Sequence, residues 1–181
     1  MEHYERGASQ ECFEALSRAL ADDPENLAAL CLRAQTATIL KRGEIALTDA
    51  MRALDIMPRW KPRVAAGRLP GEVDAEAFRT RLLPSVHIAL VAGAGDLDRP
   101  LQGPERERVV ASLAWLRERA VVQSLEPAVA LNLAVCLARV PDDLRDCDEA
   151  YRILDAVGLW DRFGGDPAGQ KLLDAIEKAC P

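Results

Sequence analysis

The side chains that could do chemistry in this chain are few, and their spacing matches no common catalytic or metal-binding pattern. Only two histidines occur in 181 residues, His3 and His87. Neither belongs to an H-x-x-x-H or H-E-x-x-H pattern, which would place two ligands on one helix face. His87 lies in the apolar run 86–92, which favours a hydrogen-bonded histidine in a core or groove over a general base. The sequence predicts no metal and no cofactor.

Two further patterns that can signal catalysis are incomplete. Gly93-Ala94-Gly95 has the start of a nucleotide-binding loop, but no third glycine, no Lys-Ser/Thr pair and no preceding strand. We interpret it as a helix stop. There is no G-x-S-x-G nucleophile motif, and the acidic residues fall at helix caps or on polar helix faces, where they are usually solvated. The sequence therefore predicts a protein that is not an enzyme.

The five cysteines are the remaining reactive groups: Cys12, Cys31, Cys136, Cys147 and Cys180. They form no C-x-x-C pair, and their odd number and scattered spacing give no disulfide framework. We expect them to be small core hydrophobes in a reducing compartment. The N-terminus has no apolar signal core, and no run approaches the roughly 18 apolar residues of a membrane span. The expected location is cytoplasmic.

Composition favours closely packed helices. Hydrophobic residues make up 49% of the chain but aromatic residues only 4%, so alanine, leucine and valine supply the apolar surface. Strands prefer β-branched and aromatic residues, whereas alanine and leucine favour helices. The net charge of −6 argues against general binding to nucleic acid or to an anionic membrane, since both require a dominant positive field.

An internal repeat organises the N-terminal third of the chain. Arg18-Ala19-Leu20 with Pro24 recurs as Arg52-Ala53-Leu54 with Pro58, displaced by 34 positions. A repeat of this period is typical of stacked helix pairs. Apolar residues fall at steps of three and four over 27–41, and small residues form a second stripe over 45–57. Gly43 is expected to allow a short turn between these two helices.

These residues resemble the tetratricopeptide repeat (TPR) family, most closely over 4–58 and again over 126–158. The resemblance implies an all-α, right-handed stack of antiparallel helix pairs forming a single domain. Within 1–58 it implies one partial and one full repeat, with Gly7 in a turn and most of the first helix missing. The expected order then continues with a basic linker (59–73), an enlarged degenerate hairpin (74–125), a repeat (126–160) and a C-terminal capping helix (161–181).

The missing first helix leaves two alternatives open. Either the chain is a piece of a longer protein, or another molecule covers an exposed N-terminal edge, for instance in a homodimer. The linker likewise has two interpretations. Arg59, Trp60, Lys61 and Arg63 form either a solvated loop or a secondary docking site for an acidic partner.

The TPR resemblance also implies a concave groove. The residues placed in it are Ala28, Cys31, Leu32, Gln35 and Ile39 in the second repeat, and Leu131, Asn132, Val135 and Arg139 in the later one. Some family members bind acidic C-terminal tails with lysine, arginine and asparagine at such positions, but here only Asn132 and Arg139 have suitable chemistry. The mostly apolar lining favours an extended or helical peptide with apolar residues.

The predicted function is therefore an adaptor or chaperone that binds a protein or peptide. Size, acidity and groove character are similar to those of small three-repeat chaperones of bacterial secretion systems. Two alternatives from other classes stay open: a regulatory or assembly domain of a larger enzyme, and a self-associating structural module.

Overall fold

A computed structural model of the chain describes residues 2–65, 82–122, 127–141, 143–156, 158 and 165–180. Side chains are described over these ranges except at 2–6, 60–65, 119–122, 127–129 and 168. Every regular element in the described residues is a helix, which confirms the all-α class. The helices are α1 Glu2–Asp22, α2 Leu27–Ile39, α3 Gly43–Ala65, α4 Leu83–Gly95, α5 Gly103–Val122, α6 Pro127–Arg139, α7 Cys147–Ala156 and α8 Pro167–Ala179. None of these described helices combines the length and apolar character needed to cross a bilayer.

Contacts divide the chain into two compact units, Met1–Asp98 and Arg99–Pro181. In the first unit, α2 packs against α1, α3 and α4, and α3 also packs against α4. In the second unit, α6 packs against both α7 and α8. The single domain suggested by the sequence stays a prediction.

The two apolar stripes predicted for the central repeat form the core of the first unit. Helix α2 begins at Asn26, whose side-chain oxygen accepts a hydrogen bond from the Ala29 backbone N–H at 3.0 Å. Its inner face is completely buried, and so is the small-residue face of α3. These buried residues are Leu30, Cys31, Ala34 and Ala37 on α2, and Ala46, Ala50 and Ala53 on α3. Small side chains let the two helix backbones come close together.

The turn between α2 and α3 does not use Gly43 in the way the sequence suggests. The residue with left-handed backbone geometry is Lys41, with φ of 57°. Gly43 is needed for a different reason, because a Cβ at this position would stand 2.8 Å from the Gly93 carbonyl oxygen on α4. A Cβ on Gly93 would in turn stand 2.9 Å from the Leu47 backbone nitrogen. The start of α3 and the end of α4 therefore meet backbone to backbone.

Two expected helix boundaries are wrong. Gly7, expected in a turn, lies inside α1, and Pro58, expected to end its helix, lies inside α3, which continues to Ala65. An interior proline costs roughly 3 kcal/mol, but the buried residues Ala53, Ile56 and Met57 hold α3 in place just before it. Residues 59–65 of the expected linker are thus helical. The rest of the linker (66–73) and the first part of the expected hairpin (74–81) lie outside the described residues.

The missing leading helix of the first repeat and the open N-terminal edge stay predictions. Helix α1 has 21 residues, and its described outward positions are charged, polar or small. They include Glu11, Glu14, Ala15 and Arg18. The homodimer through this edge stays a prediction; among the described side chains of α1, those in the exposed class include no large apolar residue.

In the second unit, local capping fixes where α5 begins. Glu105 accepts hydrogen bonds from two Arg99 guanidinium nitrogens at 2.8 and 2.7 Å, and from the Gln102 backbone N–H at 2.7 Å. Mainly through the Arg99 hydrogen bonds, its pKa falls to about 2. The carboxylate is therefore ionised at neutral pH, as the positive end of a helix favours. Further along, Arg117 on α5 donates to Glu149 on α7 at 2.6 Å.

The spacing of apolar residues in α5 predicts that Val109, Val110 and Leu113 face inward. Val109 and Leu113 are buried as predicted, but the prediction for Val110 is wrong, since it is 42% exposed. The pair Asp166-Pro167 predicts an N-cap followed by a first-turn proline, and α8 begins there. The Asp166 side chain accepts a hydrogen bond from the Gly169 N–H at 3.0 Å, and Pro167 occupies the first turn. Leu173 and Ile176 form its buried face.

The cysteine expectation is half wrong. Cys147 and Cys180 form a disulfide, with Cα atoms 5.6 Å apart, that joins the start of α7 to the residue after α8. Of the other three, Cys31 and Cys136 are buried thiols, as expected, whereas Cys12 is exposed. The spacing of the cysteines does not indicate this disulfide, because its partners are 33 residues apart and meet only after α7 and α8 have packed.

Because α3 and α4 are in close contact at Gly93 but nothing lies close to Gly7, alanine substitutions at these two glycines should have opposite effects on stability. Gly93→Ala should lower the free energy of unfolding by about 1 to 3 kcal/mol, because the added methyl meets α3 backbone atoms that cannot move away. Gly7→Ala, where nothing lies within 4 Å of the new Cβ, should raise it by about 0.5 to 1 kcal/mol. Urea unfolding of both variants measures the contrast. Equal effects would show that α3 and α4 are not in backbone contact.

Candidate protein-interaction surface

The outward face of α2 exposes large apolar side chains to solvent. Leu32 is 43% exposed and Ile39 is 60% exposed. They are seven residues apart, so they lie on the same helix face about 10 Å apart along the axis. Ala28, also exposed, and the half-buried Gln35 share this face. We call these four residues the α2 stripe.

The α2 stripe continues onto α4 through a direct hydrogen bond. The Gln35 side-chain nitrogen donates to the Ser85 hydroxyl at 2.6 Å, and that hydroxyl donates to the Leu82 carbonyl oxygen at 2.9 Å. Ser85, Ile88 and Ala92 are the half-buried residues of α4 at steps of three and four, which places them on one face. None of these α4 residues and none of the α2 stripe is charged.

On the other side of the stripe lies α1. The exposed Cys12 thiol is 3.9 Å from the hydroxyl of Thr36, which in turn donates to the Leu32 carbonyl oxygen at 2.8 Å. The stripe is therefore the middle of a surface that extends from α1 across α2 to α4. Its small polar groups, such as the Gln35 amide, could pair with the backbone of a bound peptide.

A buried ion pair fixes the rotation of α2 that turns the stripe outward. Two guanidinium nitrogens of Arg33 donate to the two carboxylate oxygens of Asp49 on α3, at 2.6 and 2.8 Å. Only 5% of the Asp49 side chain is exposed. The hydrogen bond that Arg33 donates to Asp49 is the largest cause of the raised pKa of Arg33. A third contact runs from Arg33 to the Ser17 hydroxyl on α1 at 3.3 Å.

A second cation strengthens the junction of the same three helices. The Arg42 guanidinium lies 4.3 Å from the centre of the Phe13 ring and donates to the Gln10 side chain at 2.9 Å. Phe13 itself packs with Ala37 and Ala46. Because α1, α2 and α3 each contribute to this junction, the stripe lies on a firmly held helix.

The other predicted groove residues are either buried or half-buried. Cys31 is completely buried, and Leu131 and Val135 are buried as well. Burial raises the pKa of the Cys31 thiol to about 12, because the thiolate would lose its water. Asn132 and Arg139 are half-buried, and both take part in polar or electrostatic contacts. Cys31, Leu131 and Val135 thus belong to the core, since each lies on a face that a helix partner covers.

Of the four residues predicted for the secondary docking site, only Arg59 has a described side chain. Arg59 is exposed and lies 3.1 Å from Glu25, so its charge is partly neutralised. Trp60, Lys61 and Arg63 lie on α3, but their side chains are outside the described part of the chain.

Two other kinds of chemically active group concern the described residues: metal-binding clusters and the histidine His87. Within them, no group of three or more histidine, cysteine or acidic side chains could hold a metal ion. His87 is buried in α4, as one of its two interpretations anticipated. Comparisons of the chain with protein-family models, with curated proteins and with solved structures found no match.

Sequence reasoning found Leu32, Gln35 and Ile39 but missed the α4 side of the surface. The apolar run 86–92 suggested complete burial, and most of it is buried. The available signal was the small polar Ser85 followed by Ile88 and Ala92 at helical spacing, which marks the one half-buried face of α4.

The buried ion pair predicts a large difference between two acidic residues. Asp49→Ala should lower the free energy of unfolding by about 3 kcal/mol, because it leaves the Arg33 charge partly buried without its carboxylate. Glu25→Ala removes the exposed partner of Arg59 and should cost less than about 1 kcal/mol. Denaturant unfolding at neutral pH measures both. A cost for Asp49→Ala as small as that for Glu25→Ala would contradict the role given to this pair.

Burial also predicts the order in which the thiols react. At pH 8 without reductant, iodoacetamide should label Cys12 at least 100-fold faster than Cys31 or Cys136, because Cys12 is exposed and the other two are buried. The Cys31 thiol, with a pKa of about 12, is in addition almost entirely protonated at this pH. Peptide mass spectrometry identifies the labelled residue, and Cys12→Ser is the control. Rapid labelling of Cys31 in the folded chain would show that its thiol is exposed, and would contradict its assignment to the core.

Proposed function

We propose that this chain is a non-catalytic protein-interaction module that binds an apolar segment of a partner protein on the α2 stripe and the adjoining face of α4. The observation that carries the proposal is the exposure of Leu32 and Ile39, two large apolar side chains on one face of a firmly held helix. Solvent-exposed apolar side chains that lie in line and border polar groups are typical of peptide-binding surfaces.

The chemistry of the surface defines the partner. It has no charge, so it would offer no specific attraction to an acidic tail or a phosphate. The roughly 10 Å between Leu32 and Ile39 equals two turns of a bound helix or three residues of an extended strand. A peptide with two apolar anchors at that spacing, either helical or extended, fits best. Gln35 and Ser85 would supply the polar contacts between the anchors.

The order of packing in the first unit supports a TPR-like arrangement. Each of the four helices α1 to α4 packs against the next, and α2 also packs against α4. This is the pattern expected when helix pairs stack and the leading helices of successive pairs lie side by side. In such a stack α2 and α4 would both be leading helices, and their outward faces would form a shared binding surface. Roles as an adaptor or chaperone follow from this proposal.

Substitution of the stripe tests the function. Binders are first selected from a phage-displayed library of random 12-residue peptides, and affinities of synthetic copies are measured by fluorescence anisotropy. Leu32→Glu and Ile39→Glu should each weaken binding at least 100-fold, because a carboxylate replaces an apolar contact. Helical content and melting temperature should change little, since both side chains already contact solvent.

A matched control is available in the second unit. Val110 is 42% exposed, almost the same as Leu32, so Val110→Glu introduces the same charge at the same degree of exposure. Its affinity for the selected peptides should stay within threefold of the unmodified chain. Selection of acidic peptides, or equal binding by all three variants, would contradict the proposal.

A further inference from the structure

The two residues of the Cys147–Cys180 disulfide differ in their exposure to solvent. Cys147 is the first residue of α7 and is half-buried, whereas Cys180 is only 6% exposed. An open depression of about 430 Å³ lies beside Cys147. Arg145, Asp146, Cys147 and Asp148 line it. A small thiol can therefore approach Cys147, while the protein covers Cys180.

The difference in exposure between Cys147 and Cys180 decides which of their sulfur atoms an external thiolate attacks. Attack at Cys147 expels Cys180 as the leaving thiolate, and the mixed disulfide forms on Cys147. The Arg145 guanidinium lines the same depression and attracts an anionic nucleophile. The neighbouring carboxylates of Asp146 and Asp148 oppose it, which favours thiols without a large negative charge.

We propose that the Cys147–Cys180 disulfide is a reversible thiol-exchange site, attacked at Cys147 by a small dithiol, whose reduction loosens the end of α8. One thiolate of the dithiol forms a bond to the Cys147 sulfur as the bond to Cys180 breaks, and Cys180 takes a proton from water. The second thiol of the dithiol then displaces Cys147. The products are two protein thiols and the oxidised, cyclic disulfide of the reductant.

Loosening of α8 follows from how few other contacts fasten its end. The Tyr151 hydroxyl donates to the Cys180 carbonyl oxygen at 3.0 Å, and Arg145 donates to the Ala179 carbonyl oxygen at 3.4 Å. The second of these is long, and its donor is exposed. Leu173 and Ile176, the fully buried residues of α8, lie six and three residues before Ala179, where the helix ends. Without the covalent bond, the last turn is the part most ready to open.

The first test uses the unmodified full-length chain. Hydrogen exchange followed by mass spectrometry is compared before and after treatment with dithiothreitol. Amides in the last two turns of α8 should exchange at least tenfold faster in the reduced chain, while amides of α2 in the first unit should keep their rates. Unchanged exchange in α8 would overturn the proposal, and so would five titratable thiols in the denatured, untreated protein.

The second test identifies the attacked sulfur. The Cys12→Ser variant with its disulfide intact is treated briefly with the monothiol 2-mercaptoethanol, and free thiols are then blocked with N-ethylmaleimide. Peptide mass spectrometry should find the mixed disulfide on Cys147 at least tenfold more often than on Cys180, because the attack precedes any loosening of α8. Arg145→Ala should slow formation of this mixed disulfide about two- to fivefold. Equal amounts on Cys147 and Cys180 would contradict attack from the depression, and circular dichroism checks that both variants remain folded.

Discussion

The ion pair between Arg33 and Asp49 is the constraint on which the candidate surface depends. A helix with apolar residues on more than one side can bury either face, and α2 has such residues on most of its circumference. The paired hydrogen bonds from Arg33 to Asp49 are compatible with one rotation only. That rotation buries Cys31 and leaves Leu32 and Ile39 in solvent. Polar groups inside the unit therefore decide which apolar groups remain outside it.

A second constraint sets the distance between helices in the same unit. Where Gly43 and Gly93 meet, the absence of side chains lets two backbones touch. Alanines on the facing side of α3 extend the close contact along the helix. Larger side chains such as Leu30, Leu47 and Leu90 fill the rest of the core. Leu32 and Ile39 lie on the outer face of α2, which this core does not cover.

The second unit is held together by different means. Charged pairs such as Arg117 with Glu149 join α5 to α7, and a covalent bond joins α7 to the end of α8. The disulfide divides the five cysteines into two groups. Three remain thiols with different exposure, while the other two provide a cross-link expected to contribute about 3 to 4 kcal/mol to stability. An oxidised pair and a buried thiol such as Cys31 are compatible in one chain, because a buried thiol is protected from oxidants.

The sequence by itself determined the helical class, the burial of the small-residue stripes and the local cap at Asp166. These depend on periodicity and on hydrogen bonds between neighbouring residues, which the order of residues records directly. Only the tertiary structure decided that α3 continues past Pro58, that Cys147 meets Cys180 and that Cys31 faces inward. Each of these outcomes depends on contacts between residues far apart in the chain. Periodicity identifies an apolar face, but only the packed neighbours determine whether that face is covered.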